Sequence, residues 1–277
     1  MDVADVRADL IAEQQALDDI VAEFSTDDWT AATPSPRWTV ADQIGHLTYF
    51  DATATLAITD PERFKTHINE MFAAMAKEDP EASDPDTNDA MTLADFRAME
   101  PPELLAAWRS GRELLASAAD GLANDDRVPW YGPSMGSKSF LTARLMEAWA
   151  HGQDIVDAVD AEREATDRLR HVSQLGFITR GWTYANRGRE APAVPVRVEL
   201  AAPSGEKWKF GPDAADESIV GSALDFCLVT TQRRHVDDTD LAVAGDAAQN
   251  WMELAQLFAG PPTDGPRPHG EQSGPPA

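Results

Sequence analysis

Residues 139–159 read SFLTARLMEAWAHGQDIVDAV, and this stretch indicates the fold of the first half of the chain. Apolar side chains recur along it every three or four residues, which predicts one long helix over the whole stretch. Four polar side chains interrupt that pattern at steps of three, four and three residues, and therefore share one face: Arg144, Glu147, His151 and Asp154. Burying such a polar stripe costs free energy unless its members are paired or bind a ligand.

The same helical period extends towards the N-terminus. Four more helices are predicted there, over about 3–24, 39–59, 61–77 and 101–119. The second of them begins with a capping-box pattern in which Thr39 is followed by Asp42. An acidic, proline-bearing stretch, 78–89, is expected to be a solvated loop. We therefore predict an antiparallel helical bundle over residues 1–160.

The pattern changes after residue 160. One further helix is expected over about 166–186, and residues 194–200 then alternate between apolar and polar side chains as a strand does. We predict a return strand over 207–210, a helix over 218–233, a short strand over 241–245 and a last helix over 247–258. This gives a small α/β domain over residues 161–259. The remaining residues, 260–277, include six Pro and four Gly and are expected to be disordered.

Composition excludes several classes of function. The chain has 48 acidic and 23 basic residues and a net charge of −25, which argues against binding nucleic acid or an anionic membrane. Its one cysteine, Cys227, excludes an internal disulfide and a cysteine-rich zinc site, and its apolar surroundings favour a buried, inert thiol. No apolar run is long enough for a membrane span, and the N-terminus lacks the pattern of a signal peptide. We expect a soluble, cytoplasmic protein.

A candidate metal site combines residues of the predicted helices over 39–59 and 139–159. Glu147 and His151 are four residues apart, so they lie one turn apart on the same face, and His46 lies on the helix over 39–59. If those helices face each other, two imidazoles and one carboxylate meet. Such a set suits Zn²⁺ or another divalent first-row metal and leaves room for water or substrate. The spacing fits equally well a polar pair on a helix surface and a structural histidine.

Residues around the candidate ligands have two interpretations each. Asp42 lies one turn before His46, and Asp154 lies one turn after His151, so either could accept a hydrogen bond from an imidazole ring. Arg144 is a candidate catalytic residue for binding a substrate carboxylate, and an ion pair with Glu147 is the simpler alternative.

Two motifs resemble a known family. Residues 38–47 read WTVADQIGHL and residues 144–155 read RLMEAWAHGQDI. Both resemble the motifs of DinB-type metal-binding bundles, in particular the mycothiol-dependent maleylpyruvate isomerases. The resemblance implies a DinB-like four-helix bundle followed by a small α/β domain like that of sterol carrier proteins. It also implies that His46, Glu147 and His151 ligate a divalent metal, usually zinc.

The resemblance further implies a function. In that family the metal activates mycothiol or a related low-molecular-weight thiol, which attacks a small electrophile and either isomerises it or remains attached to it. Members with the second domain use an arginine near the metal, for which Arg234 and its neighbour Arg233 are candidates; capping of a helix C-terminus is the simpler role. The alternative function is a non-catalytic metal-binding protein whose second domain binds an apolar ligand. Oligomeric state stays open.

Overall fold

A computed structural model describes residues 2–75 and 85–271 of the chain. The chain divides into two compact units, Met1–Glu162 and Arg163–Ala277. The first is helical and the second contains a small sheet with helices. The predicted fold class, a helical N-terminal region followed by a small α/β region, is therefore confirmed at this level.

Long helices make up most of the first unit. Those described are α1 (Val3–Val21), α2 (Thr26–Trp29), α3 (Val40–Thr59), α4 (Pro61–Met75), α5 (Pro85–Arg97), α6 (Pro101–Ala119) and α7 (Ser137–Val159). Two short antiparallel strands, β1 (Arg127–Val128) and β2 (Met135–Gly136), connect α6 to α7. Residues 85–89, which we expected in a loop, lie in α5, whereas 76–84 are outside the described residues.

One apolar core joins four of these helices. Helix α3 packs against α6 and α7, and α1 packs against α7. Each helix contributes at least one side chain that is at most 1% exposed: Leu17 from α1, Ile44 from α3, Trp108 from α6 and Ile155 from α7. Burial of side chains of this size contributes about 1.5–3 kcal/mol each, so this packing holds α3 and α7 beside each other.

Local sequence sets where α3 begins. The Thr39 hydroxyl accepts a hydrogen bond from the backbone N–H of Asp42 (3.3 Å), and the Asp42 carboxylate accepts one from the backbone N–H of Thr39 (3.0 Å). This is the predicted capping box, and it fixes the first turn of the helix that carries His46.

The second unit contains a four-stranded mixed sheet. Its strands are β3 (Val196–Ala201), β4 (Lys207–Phe210), β5 (Glu217–Ser222) and β6 (Ala242–Ala244), in the order β4-β3-β5-β6. The central strands β3 and β5 are parallel, and the two outer pairs are antiparallel. Its helices are α8 (Leu169–Ile178), α9 (Arg180–Ala185), α10 (Ala223–Thr230) and α11 (Asp246–Leu254).

Three expectations for this unit differ from the structure. The predicted helix over 218–233 is wrong: its first residues form β5, and only Ala223–Thr230 is helical. The β-branched pair Ile219 and Val220 suits a strand, and the pairing partner β3 lies too far away in sequence to be recognised from the local pattern. The helix expected over 166–186 is divided at Thr179 into α8 and α9.

The third difference concerns the tail. Residues 260–271, which composition placed in a disordered segment, have defined hydrogen bonds in the structure. The backbone N–H of Thr263 donates to the side chain of Gln256 (3.1 Å), and that of His269 donates to the Asp238 carboxylate (3.1 Å). Residues 272–277 are outside the described residues.

Among the described residues, no helix combines the length and the apolar character that crossing a membrane requires.

Candidate metal centre

Helices α3 and α7 bring the three predicted ligands together. One potential ligand atom from each of His46, Glu147 and His151 lies within 4.8 Å of the other two. The Glu147 Oε2 atom is 3.5 Å from His46 Nε2 and 3.0 Å from His151 Nε2. The three side chains are 16%, 24% and 12% exposed, respectively, so the group is mostly covered yet still open to solvent.

The charges of the three residues suit a cation. Burial, together with the nearby charge of His151, lowers the pKa of His46 to about 4. Burial alone would raise the pKa of Glu147, but its contacts with the imidazoles of His151 and His46 hold it well below its ordinary value. At neutral pH the site therefore contains a neutral His46 and an ionised Glu147, the protonation states in which these side chains ligate metals.

A buried glutamine, and not an aspartate, holds the second imidazole. The Nδ1 atom of His151 is 2.5 Å from the side-chain oxygen of Gln43, which is fully buried. Asp42 instead caps α3 and pairs with Arg97 (2.7 Å), so the expectation that it contacts an imidazole is wrong. The Asp154 carboxylate accepts a hydrogen bond from the Gln43 amide (3.5 Å), so it is connected to the His151 ring through Gln43.

Gln43 was missed in the sequence, although a signal existed. It precedes His46 by three residues, so both side chains lie on the same face of α3. A polar side chain on the buried face of α3 indicates a binding or pairing role in the same way as the polar stripe on α7.

Aromatic rings surround the imidazoles. The Trp38 ring lies 5.0 Å from that of His46 and stacks on that of His151 at 5.9 Å, and the Phe50 ring lies 4.5 Å from that of His46. The Trp38 indole N–H donates to Asp89 (2.9 Å), which fixes the ring. Tyr131, in the loop before α7, packs on Phe50 at 5.5 Å. These rings limit the access of water to the ligands and strengthen electrostatic interactions among them.

Arg144 is paired, but not with Glu147. Its guanidinium donates to Asp51 of α3 at 2.9 Å, and both side chains are almost completely buried. The Gln14 amide donates to the other oxygen of Asp51 (2.8 Å). The alternative pairing suggested by the spacing along α7 is therefore wrong, and binding of a substrate carboxylate by Arg144 would require it to leave Asp51.

Arg234 and Arg233 lie just after α10 in the second unit. The Arg234 guanidinium donates to the backbone carbonyl of Arg233 (2.7 Å), and the Arg233 guanidinium donates to that of Thr231 (2.7 Å). The Thr231 carbonyl lies at the C-terminal end of α10, where a cation stabilises the negative end of the helix, so Arg233 has the simpler of the two predicted roles; the carbonyl that Arg234 bonds lies beyond the helix.

Cys227 is unsuited to nucleophilic chemistry. It is fully buried in α10, and burial raises the pKa of its thiol to about 12. Its sulfur lies 3.3 Å from the Ser173 hydroxyl. The thiol is thus protonated at neutral pH and closed to solvent, as the sequence predicted.

Comparison with known proteins identifies the family. The sequence model for the mycothiol maleylpyruvate isomerase N-terminal domain matches residues 10–156, which include His46, Glu147 and His151. The chain belongs to this family. The family resemblance predicted from the two motifs is therefore confirmed.

Individual proteins also resemble the chain over most of its length. The uncharacterized proteins MT0041 and Rv0036c of Mycobacterium tuberculosis (strains CDC 1551 / Oshkosh and ATCC 25618 / H37Rv) are each 42% identical over 258 residues, covering 93% of this chain and 96% of theirs. A crystal structure of mycothiol-dependent maleylpyruvate isomerase superimposes with a TM-score of 0.56 at 14% identity, covering 88% of this chain and 93% of that one. A point mutant of that enzyme gives the same TM-score at 15% identity. At this identity the structural likeness shows the fold alone.

Proposed function

We propose that this chain is a metal-dependent enzyme that uses mycothiol, a low-molecular-weight thiol, to transform a small electrophilic substrate. The observation that carries the proposal is the convergence of the ligand atoms of His46, Glu147 and His151 within 4.8 Å. Membership of a family named for mycothiol maleylpyruvate isomerase supports the thiol and the isomerase chemistry.

The three side chains fit a divalent first-row metal, and zinc is our first choice. Imidazole nitrogen and carboxylate oxygen are ordinary zinc ligands, and three protein ligands leave a fourth position for thiol or water. A neutral His46 and an ionised Glu147 both offer lone pairs at neutral pH. A metal held here would lower the pKa of a bound thiol, so that thiolate is available at neutral pH. Because Cys227 is buried and protonated, the reactive thiol has to come from outside the chain.

Two reactions begin with the same thiolate. In an isomerisation, the sulfur bonds to one carbon of an activated double bond while the π electrons move to the activating carbonyl oxygen. Rotation about the resulting single bond and expulsion of the same thiolate give the trans double bond, and no thiol is consumed. In an S-transfer, the thiolate displaces a leaving group and stays on the product. Arg234 is our first candidate for binding a substrate carboxylate in either reaction, and Arg144 is the second, because it would first have to release Asp51.

Finer structural and cellular assignments belong to the same proposal. We assign the first unit to the DinB-type four-helix bundles and the second to the sterol-carrier-protein-like domains. The net charge of −25 supports partners that are small molecules rather than nucleic acid or an anionic membrane. The cytoplasm is our proposed location.

Metal analysis tests the site. We expect roughly one equivalent of metal in the untagged wild-type protein and none in His46→Ala or His151→Ala, because three ligands are the minimum of an open zinc site. His67→Ala is the matched control, since His67 contacts Tyr49 (3.0 Å) and is not part of the group of three. A wild-type protein that cannot be loaded with zinc would overturn the metal site.

Thiol-dependent turnover tests the reaction. The zinc-loaded protein is mixed with maleylpyruvate, with and without mycothiol, and the cis-to-trans conversion is followed; a conjugate that retains the thiol would reveal the S-transfer. We expect conversion only when both metal and mycothiol are present. Metal binding without either product would overturn the enzymatic proposal and favour a non-catalytic protein, whose second unit would then be tested for binding a fatty acid.

A further inference from the structure

A chain of partly buried hydrogen bonds lies behind His151. The side-chain oxygen of Gln43 contacts His151 Nδ1, and the Gln43 amide donates to the Thr33 hydroxyl (2.9 Å) and to the Asp154 carboxylate (3.5 Å). Thr33 in turn donates to the backbone carbonyl of Trp38 (2.9 Å), and Ser35 donates to Asp154 (3.1 Å). The chain thus links the loop before α3, helix α3 and helix α7.

Both ends of this chain are groups that only accept hydrogen bonds. The Thr33 hydroxyl donates its hydrogen bond to the Trp38 carbonyl, so the lone pairs of that hydroxyl face Gln43. The Asp154 carboxylate accepts from the Gln43 amide and from the Ser35 hydroxyl. The Gln43 NH₂ group must therefore point towards Thr33 and Asp154, because the opposite orientation would place its oxygen against a carboxylate. Its oxygen then faces His151.

The orientation of Gln43 determines which nitrogen of His151 carries a proton. An amide oxygen can only accept, so Nδ1 has to carry the hydrogen that it donates to Gln43. In the neutral ring, Nε2 then has a lone pair, which points at Glu147 Oε2 across 3.0 Å. Two lone pairs at that distance repel each other unless a cation lies between them. The hydrogen-bond chain therefore prepares Nε2 to ligate a metal.

We propose that Gln43 is a positioning residue that holds His151 in the Nδ1-protonated form required for metal binding. This inference rests on the metal site of the proposed function but not on the reaction. Partners of this kind commonly fix the tautomer and the ring orientation of ligating histidines, and their loss typically weakens metal binding by about 10–100-fold.

Zinc affinity, measured by competition with a chelator of known affinity, tests the proposal. We expect Gln43→Leu to bind Zn²⁺ about 10–100-fold more weakly than the wild-type protein. Gln256→Leu is the matched control, because Gln256 is also fully buried and bonds Pro261 and Thr263 in the second unit. We expect its zinc affinity to equal that of the wild type. Affinities within about threefold of the wild type for both variants would overturn the proposal.

The ring nitrogens can also be observed directly, without metal. In ¹⁵N-labelled, metal-free protein at about pH 8, where a histidine is normally neutral, we expect the proton of wild-type His151 on Nδ1. In Gln43→Leu it should move to Nε2, where Glu147 accepts it. An unprotonated Nδ1 in the wild type would overturn the proposal even if zinc binds. Failure of the wild type to bind zinc would overturn the proposed function instead. The position of the His151 proton in the metal-free protein would still test the role of Gln43.

A second variant covers the case in which Gln43→Leu does not fold. Asp154→Asn keeps the shape of the side chain and supplies an amide that can donate to Gln43, which removes the barrier to the opposite orientation of Gln43. We expect weaker zinc binding and a mixture of the two protonated forms of His151. An unchanged affinity with Nδ1 still fully protonated would overturn the proposal, because the orientation of Gln43 is inferred from its hydrogen bond to Asp154.

Discussion

Two carboxylates lie between α3 and α7 and have opposite surroundings. Asp51 of α3 is 1% exposed and meets the guanidinium of Arg144, which is charged at every physiological pH. Glu147 of α7 is 24% exposed and meets two imidazoles, of which His46 is neutral at neutral pH. The first carboxylate has a permanent counter-ion, whereas the second has none of comparable strength.

The difference separates a structural pair from a binding site. A guanidinium and a carboxylate that are both buried compensate each other, and nothing further can bind between them without breaking the pair. A carboxylate beside the neutral imidazole of His46 presents lone pairs with a negative charge, which favours a cation. Arg144 precedes Glu147 by only three residues, so a short distance along one helix separates the two kinds of environment.

The largest effect should come from breaking the ion pair between Arg144 and Asp51. Arg144→Met leaves the Asp51 carboxylate buried without its cation, and we expect a loss of about 3–5 kcal/mol in the free energy of unfolding, measured by urea denaturation. The double variant Asp51→Leu, Arg144→Met removes both charges and should recover most of this loss. A single variant as stable as the wild type would mean that the two carboxylates are less different than their contacts indicate.

The next largest effect should be the pH dependence of the free energy of unfolding that arises from the open site, the group of His46, Glu147 and His151. The pKa of His46 is about 4 in the folded protein and 6.5 in the unfolded chain, so the unfolded state binds more protons between these values. The free energy of unfolding of the metal-free protein should therefore fall by on the order of 3 kcal/mol as pH decreases through this window. Glu147, whose pKa is lowered from 4.5, adds a further loss in more acidic solution.

Urea denaturation at several pH values in the presence of a chelator measures this dependence. In His46→Gln the part that belongs to His46 is absent, so the curve between about pH 4 and 6.5 should be flatter than that of the wild type. Parallel curves for the two proteins would contradict the assignment of a neutral, buried His46.

The smallest effect concerns the aromatic ring that covers the open site. Trp38→Phe retains a ring beside His46 and His151 but removes the indole N–H that donates to Asp89. We expect a loss of about 1 kcal/mol in the free energy of unfolding, because Asp89 keeps the guanidinium of Arg97 within 3.8 Å. Zinc content should remain that of the wild type; its loss would show that Trp38 positions the ligands as well as covering them.

The helices and the three metal-ligand candidates could be predicted because their signals are local. A capping box at Thr39 and apolar side chains at helical spacing involve residues within one or two turns of one another. Glu147 and His151 are four apart on α7, so their proximity follows from the helix itself. His46 was a candidate from its place in the predicted helix over 39–59, but its position beside Glu147 and His151 depends on the packing of α3 against α7.

The partners of those residues could not be predicted in the same way. The spacing along α7 offered Glu147 to Arg144, but the actual partner, Asp51, is 93 residues away in sequence. Likewise, the strand β5 resembled the start of a helix because an apolar run of that length is compatible with either, and only its pairing with β3 distinguishes them.

By itself, the sequence determined the helical first half, the α/β second half and the identity of three side chains able to ligate a metal. These depend on periodicity and on the chemistry of single residues. Only the tertiary structure decided that Gln43 faces His151 and that Asp51 receives Arg144. Both contacts join helices that are far apart in sequence, and a hydrogen bond requires a particular distance and direction, which the packing of α3 against α7 provides.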